Sequence, residues 1–220
     1  MVQKKSQSDQ AYEKIKRDII TCELEPGLKI AQAQLVERYD FGITPTREAL
    51  KRLEQEGYVQ SIPRFGYVIS DLSINDIQEI YELRLILETS SVRNTAVRVT
   101  DRQLEEIKRE AAFTYTFKDS NSYLHFLDMN KVFHFKIARL SGNRRLADSI
   151  AKLLDEMTRI FHLGLDLRDS ADEMRNEHLA LVNAIGNHNP DQAEKLMRDQ
   201  ILRSQQRVLE GLGHRIVQPN

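Results

Sequence analysis

Two sets of side chains in this 220-residue chain could do chemistry. The first is cationic. Thr44, Thr46, Arg47 and Lys51 lie within one short segment, with Arg47 and Lys51 one helical turn apart, and Arg64 follows in a Pro-Arg-Phe-Gly turn that ends at Gly66. Arginine can donate two hydrogen bonds to a guanine edge and lysine reaches phosphate, so this pattern on an exposed helix suits the major groove of double-stranded DNA. Arg64 at a loop tip suits the neighbouring backbone or minor groove. The second set lies in the middle of apolar helical stripes. Arg84 and Glu88 share a face with Ile77, Tyr81 and Val92. Asn130 and His134 stand one turn apart among Tyr123, Phe126, Leu127 and Ile137. His178 sits between Met174, Leu181 and Ile185, and Gln200 between Met197 and Ser204. Polar groups in such places cost stability unless they have partners. If they converge on one cavity of a helical bundle, they line a ligand or metal site, and Arg84 can grip a carboxylate with two parallel hydrogen bonds. Each feature also has a plainer reading: Arg47 and Lys51 as solvated charges, Arg84 with Glu88 as an ordinary i, i+4 pair, each histidine as a hydrogen-bonded core residue.

The elements that must hold these residues fall into two kinds. Over residues 1–73 the pattern predicts a helix at 10–21 behind a Ser8-Asp9 capping signal, a short helix carrying Leu35, Val36 and Tyr39, and a third helix. Thr44 is the expected N-cap of that third helix, with Pro45 in its first turn and Gly57 at its end. Its Ala49, Leu50 and Leu53 face a core while Thr44, Arg47, Glu48 and Lys51 face away. Strands at 59–62 and 67–69 then flank the 63–66 turn. Three helices and a hairpin make a winged helix-turn-helix. From residue 74 to 220 the strand signal stops and about six helices follow, at 75–97, 101–117, 122–140, 144 to about 166, 171–186 and 190–212. Thr100 with Gln103 forms a capping box, and Asn189-Pro190 marks another helix start. The expected fold is therefore mainly α: a winged helix-turn-helix domain (1–73) followed by an all-α bundle (74–220) that binds an effector and dimerises.

Composition narrows the function classes. Hydrophobic residues make up 40% and charged residues 30%, which excludes a disordered or collagen-like chain. The single Cys22 rules out an intrachain disulfide and a cysteine-based zinc knuckle, and fits a reducing compartment. No stretch approaches the 18 or so apolar residues of a membrane span, so the expected location is the cytoplasm, away from membranes. The net charge is −1, and residues 1–73 carry 11 basic and 11 acidic side chains, so any DNA contact must rest on local placement and not on bulk charge. No nucleophile stands at readable spacing from a base, and no glycine-rich loop cradles phosphate, so an enzyme is not expected. A helical-bundle metalloprotein built on His134 and His178, and a protein-interaction module whose winged helix does not bind DNA, are the alternatives.

The stretch PTREALKRLEQEGYV, from Pro45 to Val59, with Gly66 behind it, resembles the GntR family of bacterial transcription regulators. The second half resembles the FCD effector domain of the FadR-like subgroup, through Arg84 with Glu88, Phe133-His134 and Ser141-Gly142-Asn143. The resemblance implies a dimer that binds a palindromic operator and responds to a small effector, by implication an organic acid, as a repressor or activator. It also implies a divalent metal such as zinc or nickel, held in many relatives by one acidic residue and three histidines. His134 and His178 match two of those positions, but Asn130 stands where an Asp is usual and Gln200 where a third His is usual. Amide oxygens are poor ligands for such ions, so a site of Asn130, His134 and His178 should bind metal weakly or not at all. Two further departures are Ala33 and Ile43, each where relatives carry an Arg.

Overall fold

The computed structural model describes residues 5–164 and 169–217. The chain divides into two compact units, residues 1–73 and 74–220, each considered separately below. In the first unit, α1 (Gln7–Ile20), α2 (Gln32–Tyr39) and α3 (Ile43–Gln55) enclose a core of Ala11, Ile15, Ile19, Leu35, Leu50 and Leu53. α1 starts earlier than the Ser8-Asp9 signal implies, because Ser6 caps it and its hydroxyl accepts from the Asp9 N–H at 3.1 Å. α3 also starts earlier than expected. Gly42 occupies the N-cap in extended backbone, and Thr44 lies inside the first turn. Pro45 still costs nothing there, since its missing N–H belongs to a turn whose donors lack helical partners.

Strands β2 (Val59–Ile62) and β3 (Gly66–Ile69) pair antiparallel as expected, but the sheet has a third strand. β1 (Lys29–Ile30) pairs with β3, giving the order β1-β3-β2. Two residues are too few to leave a periodic trace, which is why the sequence conceals this strand. It fixes the base of the wing. Gly66 has φ +141°, and a Cβ there would lie 2.6 Å from the Ile30 carbonyl oxygen, so β1 and β3 approach closely only because residue 66 has no side chain. The Tyr39 hydroxyl donates to Asp18 Oδ2 at 2.7 Å, a buried bond that ties α2 to α1. Burial, then Asp18, raises the Tyr39 pKa, so the phenol keeps the proton this bond needs.

The second unit is all helical among the described residues: α4 (Ile74–Arg98), α5 (Asp101–Ala111), α6 (Ser120–Leu140), α7 (Arg144–Gly164), α8 (Ala171–Gly186) and α9 (Pro190–Val217). The capping box forms, with the Thr100 N–H on Gln103 Oε1 at 3.0 Å and the Gln103 N–H on Thr100 Oγ1 at 3.4 Å. Asn189 Oδ1 accepts from the Gln192 N–H and starts α9. The end expected for α7 near residue 166 lies outside the described residues. α4 is central. It packs on α6, α7, α8 and α9, and its small inward Ser91 and Thr95 let α6 come close enough for Thr95 Oγ1 to donate to the Ile137 carbonyl at 2.7 Å. Ser141-Gly142-Asn143 forms the α6–α7 turn, where Gly142 has φ +78° and Asn143 Oδ1 accepts from the Leu146 N–H.

One helix is shorter than expected. α5 ends at Ala111 instead of 117, and residues 112–116 run without helix. The reason is local: Phe113, Tyr115 and Phe117 alternate with two threonines, a period-2 pattern that the helical reading absorbed wrongly. The non-helical path turns Phe113 and Tyr115 inward against Phe126, with ring centroids at 5.1 and 4.9 Å.

The close approach at Gly66 yields a paired expectation. Gly57 also has positive φ (+81°), but nothing lies within 4 Å of where its Cβ would be. Gly57→Ala should therefore cost only backbone strain, about 1 kcal/mol, whereas Gly66→Ala adds a steric clash and should cost roughly 2–3 kcal/mol, read from urea denaturation of the full chain. Equal losses would mean that β1 does not constrain the wing.

Candidate nucleic-acid interface and ligand site

The exposed face of α3 is assembled by its neighbours as much as by its own residues. Arg52 is drawn away from it: its Nη1 pairs with Asp9 on α1 at 2.8 Å and its guanidinium lies 3.9 Å from the centre of the Tyr12 ring. Glu48 is held by the Ser8 hydroxyl. Arg47 and Lys51 remain exposed with no side-chain partner among the described residues. At the start of the helix, Gln32 Nε2 donates to the Ile43 carbonyl at 3.1 Å, locking α2 against α3. Thr44 is exposed on this end. Thr46 is not: it is fully buried and its hydroxyl donates to the Gly42 carbonyl at 2.9 Å, so its expected contact with DNA is corrected to a role in closing the first turn. A back-bonding hydroxyl of this kind is a local choice that hydrophobic period cannot reveal. At the wing tip Arg64 is exposed in left-handed backbone, φ +66°, while Gly66 serves the β1–β3 contact described above.

In the second unit the six polar residues expected to converge, Arg84, Glu88, Asn130, His134, His178 and Gln200, are all buried, with His178 at 0% exposure. Glu88 is the hinge of the cluster. Its Oε1 accepts from Arg84 Nε at 2.6 Å and its Oε2 meets His134 Nδ1 at 2.8 Å. Desolvation works to raise the Glu88 pKa, but Arg84 and then His134 outweigh it and hold the carboxyl at about 2. An ionised carboxylate only accepts, so Nδ1 of His134 must carry the proton it shares with Glu88. The His134 and His178 rings stand edge to face, centroids 5.5 Å apart. His178 is further wrapped by Phe133 at 4.6 Å and Phe113 at 4.9 Å. Burial, then the nearby His134 and Arg207, pushes its pKa well below the ordinary value, so this imidazole is neutral.

The α4–α9 cross-links place Gln200. Tyr81 bonds Ser204 at 2.8 Å, and twelve residues along α4 Arg93 pairs with Asp191 and with Glu194 at 3.1 Å. The two helices are therefore antiparallel, and the register sets Gln200 level with Arg84 and Glu88. Asn130 lies one turn from His134 on the same face of α6. Five buried atoms of this cluster have no hydrogen-bond partner among the described residues: Arg84 Nη1, Asn130 Oδ1, Gln200 Oε1 and both ring nitrogens of His178. Each such atom costs on the order of 1–3 kcal/mol if left bare. Several contributors escaped the sequence reading. Phe113 was hidden in the misread end of α5. Tyr81, whose ring lies 5.2 Å from the Arg84 guanidinium, read as plain core. Arg207, which bonds Glu177 through both terminal nitrogens at 3.1 Å, was not singled out by its sequence position.

The donors do not fit a tightly held zinc or nickel ion. Two imidazoles and two amides are the candidates, and among the described residues no group of three or more His, Cys, Asp or Glu side chains is arranged to hold a metal. Glu88, the one carboxylate of the cluster, is already committed to Arg84 and His134.

The comparisons agree with both halves. Residues 7–69 match the bacterial regulatory proteins of the gntR family, and residues 79–203 match the FCD domain. The chain belongs to the GntR-family transcription regulators that carry an FCD domain. The Nta operon transcriptional regulator of Aminobacter aminovorans is 25% identical over 191 residues, covering 87% of this chain and 89% of its own length. The transcriptional repressor NanR of an Enterobacter species is 26% identical over 219 residues, covering 90% and 84%. In fold, the chain is similar to E. coli McbR/YncC, with a TM-score of 0.78 at 19% identity over 94% of this chain and 99% of that one. These relatives are named as transcription regulators and not as enzymes. No helix among the described residues is long and apolar enough to cross a membrane.

The buried cluster makes stability depend on acid in two steps. The folded-state pKa of His178 lies below its ordinary 6.5, so below that pH the unfolded chain takes up a proton that the folded chain refuses. Glu88 adds a second loss between its ordinary 4.5 and about 2. Unfolding free energy should thus fall as pH drops from about 6.5, and His178→Phe should flatten the part of the fall above about pH 4.5. An unchanged profile in His178→Phe would show that this imidazole is not held neutral.

Proposed function

We propose that the protein is a cytoplasmic, effector-responsive transcription regulator that binds a palindromic operator as a homodimer. One recognition helix reads too few base pairs to be selective alone, and two half-sites solve that. α3 is the reading helix, Arg47 the direct base contact, Lys51 a phosphate contact and Arg64 a wing contact. The reading rests most on Arg47 and Lys51: one turn apart on an exposed face, without partners among the described residues, while Glu48 and Arg52 of the same helix are tied to α1. For the dimer, Leu83 and Ile86 on the outer side of α4 are apolar and about half exposed, at 47% and 59%, and a two-fold contact would cover them.

The effector reading rests on the buried cluster. Arg84 Nη1 calls for an acceptor, as a carboxylate supplies. Asn130 and Gln200, whichever way their amides turn, each present an acceptor as well as a donor, and neutral His178 offers one of each. A ligand of acceptors alone leaves part of this unmet. The effector is therefore a small carboxylate that also carries hydroxyl or N–H donors, bound without a tightly held metal.

Two experiments test the reading. Against duplexes selected from a random pool by the full-length protein, Arg47→Ala should lose about 1–3 kcal/mol and relax base preference. Lys51→Ala should weaken all sequences alike and reduce the salt slope by about 1 per chain. Binding that is insensitive to salt and to both changes would favour a protein-interaction module. For the pocket, thermal shifts with a panel of hydroxy- and amino-carboxylates should show stabilisation that simple aliphatic acids do not match and that Gln200→Leu removes. Equal stabilisation of Gln200→Leu would move the effector elsewhere, and one zinc or nickel retained per chain on metal analysis would contradict the metal-free site.

A further inference from the structure

Ile43 is the most exposed of the large apolar side chains among the described residues, at 68%, and it is the first residue of α3. A single exposed isoleucine is ordinary on a surface, but three features of this one are not. Its main chain is fixed, because Gln32 Nε2 holds its carbonyl and Gly42 caps the helix directly before it. It heads a row: at 100° per residue Arg47 lies 40° and Lys51 80° around the helix from it, so one methyl-bearing group and two unpartnered cations descend one side of α3 at successive turns. The residue after Gln32, whose side chain reaches the Ile43 carbonyl, is Ala33, exposed and ending in a methyl group, so it adds no bulk or charge to this end of the unit.

We propose that Ile43 is a specificity-determining residue that reads thymine through its 5-methyl group. This rests on the reading of α3 as the groove-facing helix given above. The N-terminal residues of such a helix are the ones that reach base edges. Among those edges the major groove presents one methyl group, that of thymine; apart from the small C5–H of cytosine, every other feature is a hydrogen-bond donor or acceptor. An isoleucine held at that position can bury methyl against methyl, whereas against any other base edge it would remove water from a polar atom and return no hydrogen bond. Arg47, four residues or about 6 Å further along the helix, then reads a guanine one or two base steps away, since bases stack at about 3.4 Å. Ile43 and Arg47 together specify a short thymine-and-guanine element in each half-site.

The test uses the full chain and duplexes selected from a random pool. Each thymine of the selected half-site is replaced in turn by deoxyuridine, which removes the methyl group and leaves every hydrogen-bonding atom in place. Wild-type protein should lose roughly fourfold in affinity at one thymine, the worth of one buried methyl, and Ile43→Ala should bind the thymine and uracil duplexes equally at that position. Because Ile43 is exposed, Ile43→Ala should melt with the wild type, and Ile43→Val should retain part of the discrimination. If Arg47→Ala weakens binding but no uracil substitution is coupled to Ile43, the thymine assignment is overturned while the reading of α3 stands. If Arg47→Ala and Ile43→Ala both leave binding unchanged, the groove-facing assignment of α3 falls and this inference with it.

Discussion

The second unit is organised around one buried carboxylate. Glu88, midway along the central helix, neutralises Arg84 with one oxygen and orients His134 with the other. The Arg84 guanidinium could not be tolerated at this depth without it, because removing one partner of a buried pair leaves an uncompensated charge worth about 3–5 kcal/mol. The three groups draw on two helices, so the pairing also sets how α4 and α6 face each other. Around this satisfied core stands a ring that is not satisfied: the second arm of Arg84, the amides of Asn130 and Gln200, and the neutral ring of His178. A chain selected for stability alone would fill such positions with leucine. On the effector reading proposed above, the inner pairs fix orientation and the outer atoms are left for recognition.

The first unit follows the same division of labour. Two charges of α3 are tied back, Arg52 to Asp9 and Tyr12, Glu48 to Ser8, so that the free side chains on its exposed face are few, and on the proposed reading their order along the helix carries the information. Net charge in this unit is balanced, and specificity must come from placement. Gln32 joins α2 to the first residue of α3, which fixes the N-terminal end of that helix.

Much of this was legible in the sequence, for a physical reason. Arg84, Glu88, His134 and His178 announce themselves because a charged or polar residue within an apolar stripe contradicts its surroundings, and the winged helix-turn-helix follows from capping residues and periodicity. The parts that were not legible depend on tertiary contact or on very short elements. β1 has two residues and no period. The N-cap of α3 is Gly42 and not Thr44, because the Thr46 hydroxyl, turned inward, closes the first turn onto the Gly42 carbonyl. Phe113 reaches His178 because residues 112–116 leave the helix, and alternating aromatic and threonine residues at a helix end are the one signal that could have foretold it. Gln200 could be placed on a face from sequence, but its level against Arg84 comes only from the Tyr81–Ser204 and Arg93–Asp191 links.

The central claim is that the unmet atoms around Glu88 receive the effector. The most direct measurement is the nitrogen NMR spectrum of the His178 ring in the full chain, followed while the most stabilising carboxylate is titrated. In the free protein the two nitrogens should show the separate shifts of a neutral imidazole at pH 7, and saturation should move both as each gains a partner. A carboxylate that changes operator affinity while the His178 nitrogens stay where they were would contradict the account.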